Sequence, residues 1–535
     1  MPNLPRTIFT NADIVPHFCA DGLKAEAFCT AAGRILHVGS LAEVRRAAGP
    51  GSTEVDLCGG VVYPGFIDTH SHLSSCAECL DRVDCGLSNK SVAGVLKALR
   101  AASASIDNDG WVLGYGYDDS GLPDNRHLTR HDLDEVSRDK PVFVVHISVH
   151  FAYGNTKALE LLGITKDSRF DGGEVGLGED GLPSGYLAEM AAIAAMGRLP
   201  TSSPDKLRSN LSRAIAVYNS QGFTTIMDGG IGLSGDAEQI TRSYLDLMRE
   251  DSLNARVYLQ FLPQIMDTLR PLGLYHFGSD YLTLGGLKFF LDGSIQGFTG
   301  ALLEDYHTRP GHKGTLLLSE EEICSIVGLH HQTGIQVAMH ANGDRAVEAA
   351  LQAFEKAISD YGHKDLRHMI IHAQTASDSQ LERMKACDII PSFFARHIEV
   401  WGDRHAAIFL GPERTERLNP AGSSVRLNLP FTLHVDTPVL PVTALGAMHA
   451  AVNRISSGGI LMGPDQRITP LEALKAYTTT AALCCGGEHD RGKIASGRFA
   501  DFVVLSDNLE SIPAENLRDV RVNMTFTGGR MVYQA

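Results

Sequence analysis

Eight short apolar runs punctuate the middle of this chain, and long amphipathic stretches separate many of them. The runs are Val61–Thr69, Phe223–Asp228, Ala255–Leu262, Leu284–Leu291, Ile335–His340, His368–Ala373, Asp388–Phe394 and Pro430–Asp436. Their length suits strands buried on both faces. Helical patterns lie between them, for example Ser203–Ser220, Asp236–Arg249, Ser319–Thr333, Ala346–Ser359 and Pro470–Leu483. This alternation is the signature of βα units around a parallel sheet. Eight units predict an α/β fold of (β/α)8, TIM-like type. The first two runs lie too far apart for a simple crossover. An inserted lobe is therefore expected at about 74–202, with Trp111–Tyr117 and Pro141–Val149 as strands.

Both ends of the chain read differently. Arg6–Ile14 and Arg34–Gly39 are strand-like near the start. Ala500–Leu505 and Val520–Val532 are strand-like near the finish, with Gly528-Gly529 as a hairpin turn. The expected division is a barrel over 61–487 and one small β-sandwich built from 1–60 and 488–535.

Charge and composition remove several function classes. Lys+Arg total 47 against Asp+Glu 63, a formal charge of -16, which argues against a general nucleic-acid or anionic-membrane binder. The first residues lack a basic segment followed by an apolar one, and no apolar run is long enough to span a bilayer. A cytoplasmic protein with a small-molecule substrate is expected, with a homodimer left open. The ten cysteines are scattered. Cys76 and Cys79 form one CxxC, but no second pair completes a four-thiolate zinc site, so reduced thiols are expected.

Histidine placement carries the chemistry. His70 and His72 close the first run, and residues i and i+2 of a strand share a face, so both imidazoles can reach one metal. His340, His372 and Asp436 each close another run. Each alone has an ordinary structural reading, as a core-edge histidine or a helix cap. Together they would meet at one barrel mouth, because all strand C-termini do. Lys288 stands inside an apolar run, where a lone ammonium is costly. It either pairs with a carboxylate such as Asp292 or belongs to the metal site.

These residues sit in motifs that resemble the amidohydrolase superfamily, specifically the amidohydrolase family-3 branch that includes YtcJ-like proteins and N-substituted formamide deformylase. Pro64–His72 resembles the strand-one motif, Lys288 with Asp292–Ser294 the strand-four motif, and Met339–Val347 the strand-five motif. Arg367–Gln374 and His434–Val439 resemble the strand-six and strand-eight motifs. Gly114–Asp118, His150 with Asn155, Asp171–Gly173, Gly185–Glu189 and Gly492–Asp501 extend the likeness over nearly the whole chain.

The resemblance implies one or two divalent metal ions, with zinc first and iron, manganese or cobalt as alternatives. His70 and His72 would bind the buried metal and His340 and His372 the second. Lys288 would be carboxylated and bridging, and Asp436 would bind metal and handle protons. The implied reaction is hydrolysis of a C–N bond, amide or N-acyl, by metal-activated hydroxide with Asp436 as general base and then acid. The same centre could serve an ester or lactone, a decarboxylation or a C–C cleavage. A non-catalytic scaffold is disfavoured because all six positions are filled. Tyr115, Tyr117 and His150 are expected to line the substrate pocket. The sequence departs from the branch where Phe298 stands in place of a common arginine, and where His434-Val435 replace a small pair. The first departure predicts a more apolar pocket near Phe298.

Overall fold

The computed structural model describes residues 5–535 apart from 20, 21, 23, 108, 109 and 234. The apolar runs form parallel strands β1 (Phe66–Ser71), β2 (Phe223–Ile231), β3 (Arg256–Phe261), β4 (Leu282–Phe290), β5 (Val337–Ala341), β6 (Met369–His372), β7 (Ile390–Phe393) and β8 (Thr432–Leu433). Sequence order is sheet order from β1 to β8. β1 and β2 are buried at every position, as a parallel sheet covered by helices requires. The ring closes between β8 and β1 through side chains and adjoining loops. Thr69 and Thr432 hydroxyls lie 2.9 Å apart, and the Asp436 N–H donates to the His70 carbonyl at 3.2 Å.

The first run corrects the reading. Val61–Thr69 is two strands, because Val61–Pro64 pairs with Phe502–Leu505 in a separate sheet before the chain enters β1. Both strands are buried, so hydropathy does not register the switch. Gly65 makes the junction. A Cβ there would lie 2.2 Å from Thr224 Oγ1, so only glycine lets the chains approach. Arg6–Ile14 also divides, into Arg6–Thr10 and Asp13–Ile14, where Asn11 takes a φ of 54°.

Strands from both ends make two sheets. One orders Arg34–Gly39, Ala27–Ala31, Arg6–Thr10 and Thr53–Asp56; the other orders Asp13–Ile14, Val61–Pro64, Phe502–Leu505, Val522–Thr527 and Arg530–Gln534. Phe9 and Phe28 from the first sheet meet Phe502 and Phe526 from the second at ring separations of 4.9–5.2 Å. Gly528 and Gly529 turn the last hairpin with positive φ, the conformation such a turn needs. The barrel is clamped to this sheet at the end opposite the mouth. Arg256, first residue of β3, makes a bidentate pair with Asp501 at 2.6 and 2.9 Å, both side chains 3% exposed.

Within the lobe, a six-stranded sheet includes Val112–Tyr117, Val142–His146 and Phe151–Gly154. The expected strand Pro141–Val149 ends early because Val149 takes a φ of 64° and the chain returns antiparallel. That turn aims His150 at the barrel mouth. The expected helix Pro470–Leu483 is likewise two, Pro470–Ala476 and Thr479–Cys484. The break frees the Tyr477 carbonyl, which accepts the Ile67 N–H of β1 at 2.8 Å. Among the described residues no helix is long and apolar enough to cross a membrane.

Candidate metal centre

Six side chains from five strand ends converge at the mouth. His70 ends β1, and His72 follows it as the N-cap of helix Leu73–Cys79. Lys288 lies in β4, His340 in β5 and His372 at the end of β6, while Asp436 follows β8. Asp436 Oδ1 lies 3.5 Å from Nε2 of both His70 and His72, and its Oδ2 lies 3.8 Å from His372 Nε2. His372 Nε2 is 3.1 Å from His340 Nδ1, and Lys288 Nζ is 3.4 Å from His70 Nε2. All six are buried, with at most 8% of each residue exposed. His372 and Asp436 hold positive φ values of 72° and 56°, backbone strain that typically gathers at functional sites.

Burial sets the charges. It pushes the His70, His340 and His372 imidazoles well below their usual pKa, with Lys288 or neighbouring histidines adding to the effect, and takes His72 to about 3. At neutral pH these rings are uncharged, the form that ligates metals. Burial also lowers the Lys288 ammonium and raises the Asp436 carboxyl, each opposed by attraction to the other. His72 Nδ1 faces the Gly229 carbonyl at 2.6 Å, which assigns the proton to Nδ1 and leaves Nε2 as a donor atom.

Asp292 is not the partner of Lys288. Its carboxylate accepts the backbone N–H groups of Ala301, Asn342 and Gly343 at 2.8–2.9 Å, and among the described residues no ion pair joins it to the lysine. It orders the loops after β4 and β5 instead.

The expected pocket residues separate. His150 lines the mouth cavity, a space of about 60 Å³ also walled by Val149, Phe290 and Leu317. Its Nδ1 lies 2.7 Å from Glu189 Oε2. Burial works against the His150 charge, but Glu189 and more distant carboxylates more than offset it and raise the pKa. Tyr115 lines an adjoining chamber. Tyr117 does not line either space. It is fully buried in the lobe, where its hydroxyl donates to the Arg126 carbonyl at 2.6 Å. Phe298 is also outside the mouth cavity, packed on Tyr306 and Phe409 with Arg309 stacked 3.6 Å above its ring. The cavity's apolar wall comes from Phe290 and Leu317, not Phe298.

Sequence alone marks His434 only as a departure from the branch pattern. In space its Nε2 is 3.3 Å from His372 Nδ1, and its Nδ1 is 2.8 Å from Ser392 Oγ. Ser392 in turn meets Thr69 at 3.1 Å. A chain of polar groups thus orients His372 from behind. Cys76 and Cys79 are free thiols whose pKa values burial raises to about 12 and about 11.

A parallel barrel with four imidazoles, a lysine and a carboxylate at its strand ends belongs to the class of metal-dependent barrel hydrolases. The chain belongs to the amidohydrolase family, whose family model matches residues 53–533. It is 28% identical to YtcJ of Bacillus subtilis over 96% of this chain and 97% of that one. It is also 28% identical to N-substituted formamide deformylase of Arthrobacter pascens, over 95% of each. Among solved structures, an uncharacterized metal-dependent hydrolase from Pyrococcus horikoshii superposes with a TM-score of 0.78 at 26% identity, covering 95% of this chain and 99% of that chain.

Proposed function

We propose that this protein hydrolyses a carbon–nitrogen bond in a small amide or N-acyl compound, using divalent metal. The observation that carries this reading is Asp436 Oδ1. It is buried, has no hydrogen-bond partner among the described residues, and lies 3.5 Å from Nε2 of both His70 and His72. A buried carboxylate oxygen without a donor is costly. A cation held by these three atoms removes that cost, and the donor set suits zinc first, then iron, manganese or cobalt. His340 and His372 would hold a second ion. Burial favours the neutral amine of Lys288, the form that adds carbon dioxide: a C–N bond would form, one proton would leave, and the anionic carbamate would be available to hold metal.

When bound, the metal supplies Lewis acidity, lowering the pKa of water to about 7 and polarising a carbonyl. Asp436, raised above the usual carboxyl range, accepts the proton of the attacking water and passes it to the leaving nitrogen. His150, held by Glu189, presents an N–H to the substrate's acyl oxygen. Val149, Phe290 and Leu317 keep bulk water from the reacting bond.

Metal analysis and a substrate panel test the reading together. One or two ions per chain and turnover of simple amides are expected. Metal content far below one ion after metal-replete expression would remove it. Turnover restricted to esters, lactones or keto acids would replace C–N hydrolysis with another reaction at the same centre.

A further inference from the structure

A second, smaller chamber of about 30 Å³, room for one carboxylate-sized group, adjoins the mouth cavity. The two share Ser75, Val149, Leu233 and Pro438 in their linings, so they lie side by side. Arg82 stands on the second chamber's wall. The helix that begins at His72 ends at Cys79, and the Arg82 N–H donates to the Cys79 carbonyl at 3.0 Å. A short rigid stretch therefore ties this guanidinium to the metal-site histidine.

Among the described residues the Arg82 guanidinium has no ion-pair partner, and its Nε is buried without a hydrogen-bond partner. Glu78 shares the chamber, but one of its oxygens accepts the Ser202 hydroxyl at 2.8 Å. Val145, Met196 and Leu199 make much of the remaining wall apolar. Tyr115 also lines this chamber. Burial raises its phenol most, Asp436 adds to that, and Arg82 opposes it. A guanidinium on this wall with no carboxylate partner among the described residues can take an anion, and carboxylate is its best geometric match.

We propose that this chamber is a subsite for an anionic group of the substrate, with Arg82 as the recognition residue. The substrate class is then an amide or N-acyl compound with a carboxylate on the part remote from the scissile bond. This rests on the proposed hydrolysis at the neighbouring metal centre.

The test uses metal-loaded full-length protein and four sets of compounds: amides and esters, each ending in either a carboxylate or the matching primary carboxamide. Wild type should favour the carboxylate members. Arg82→Met should raise their KM at least tenfold, with carboxamide members changing less than about threefold. Arg82→Lys should keep part of the preference, and Glu78→Gln should strengthen it by removing a like charge. Calorimetric binding of ω-phenyl carboxylates against their carboxamides gives the same comparison without turnover. Equal loss on both tails, or no carboxylate preference in wild type, would overturn the subsite. Arg82-dependent preference among esters alone would keep the subsite and remove the C–N reading.

Discussion

Asp501→Ala should destabilise the protein strongly while leaving the mouth chemistry intact. The Asp501 carboxylate serves two partners, the Arg256 guanidinium at 2.6 and 2.9 Å and the Gly528 N–H at 2.8 Å. Arg256 keeps the Asp280 carbonyl at 2.7 Å and the Phe499 ring at 3.5 Å, but neither supplies a negative charge. Leaving one partner of a buried ion pair alone costs about 3–5 kcal/mol, and the orphaned N–H adds about 1 kcal/mol, for a total of about 4–6 kcal/mol. Urea unfolding followed by Trp111 and Trp401 fluorescence reads this from the lobe and the barrel. Kinetic constants at low denaturant should stay near wild type, because Arg256 opens β3 at the barrel end away from the metal residues. Replacing both partners by Arg256→Met and Asp501→Leu should recover most of the loss, since no lone charge remains. A single variant that loses under about 1 kcal/mol, as an exposed pair would, refutes the reasoning. So does a double variant no better than the single.

His70→Ala and His72→Ala should each lose metal and activity together; normal metal content with full turnover would remove the assignment. Lys288→Ala should lose activity, and bicarbonate or a short carboxylic acid should restore part of it; unchanged metal stoichiometry and rate would make the lysine merely structural. Asp436→Asn should stay folded, retain part of its metal and lose about 10³-fold in kcat with a smaller change in KM, since general acid–base groups contribute about 10²–10⁴-fold. A variant within tenfold of wild type would move the proton role elsewhere. His434→Ala, which removes the group behind His372, should weaken metal affinity by about 10–100-fold, measured by competition with a chelator; unchanged affinity would show that Ser392 and Thr69 do not act through it.

Most of the barrel was legible because every strand is an apolar run and most end at a polar residue. That coincidence is what a mouth looks like in one dimension. Five of the six convergent side chains were legible for the same reason, and Lys288 because a lone ammonium inside an apolar run is costly. What stayed hidden depended on direction and partner. Hydropathy could not show that Val61–Pro64 belongs to a different sheet from β1, since both are buried. Tyr115 and Tyr117 would share a face on a regular strand, yet a register shift between Val145 and His146 and full burial send Tyr117 into the lobe core. Phe298 follows Asp292 closely in sequence, but its positive φ of 59° turns it toward Tyr306 and Phe409. His434 had no local signal, because its partners Ser392 and His372 come from other strands.

The junction at Gly65 also fixes an order of events in time. Val61–Pro64 runs straight into the strand that carries His70, and its partner strand is Phe502–Leu505. A ribosome makes the first long before the second. Until those late residues emerge, the segment leading into β1 has no antiparallel neighbour. The strand that carries the first two donor residues can pair with β2 early, but its lead-in segment is anchored only when the chain is nearly complete. Nascent chains stalled before residue 502 should hold His70 and His72 through β2 and β8 but leave the segment leading into β1 without its antiparallel partner, so the metal site gains its last support only as the chain is finished.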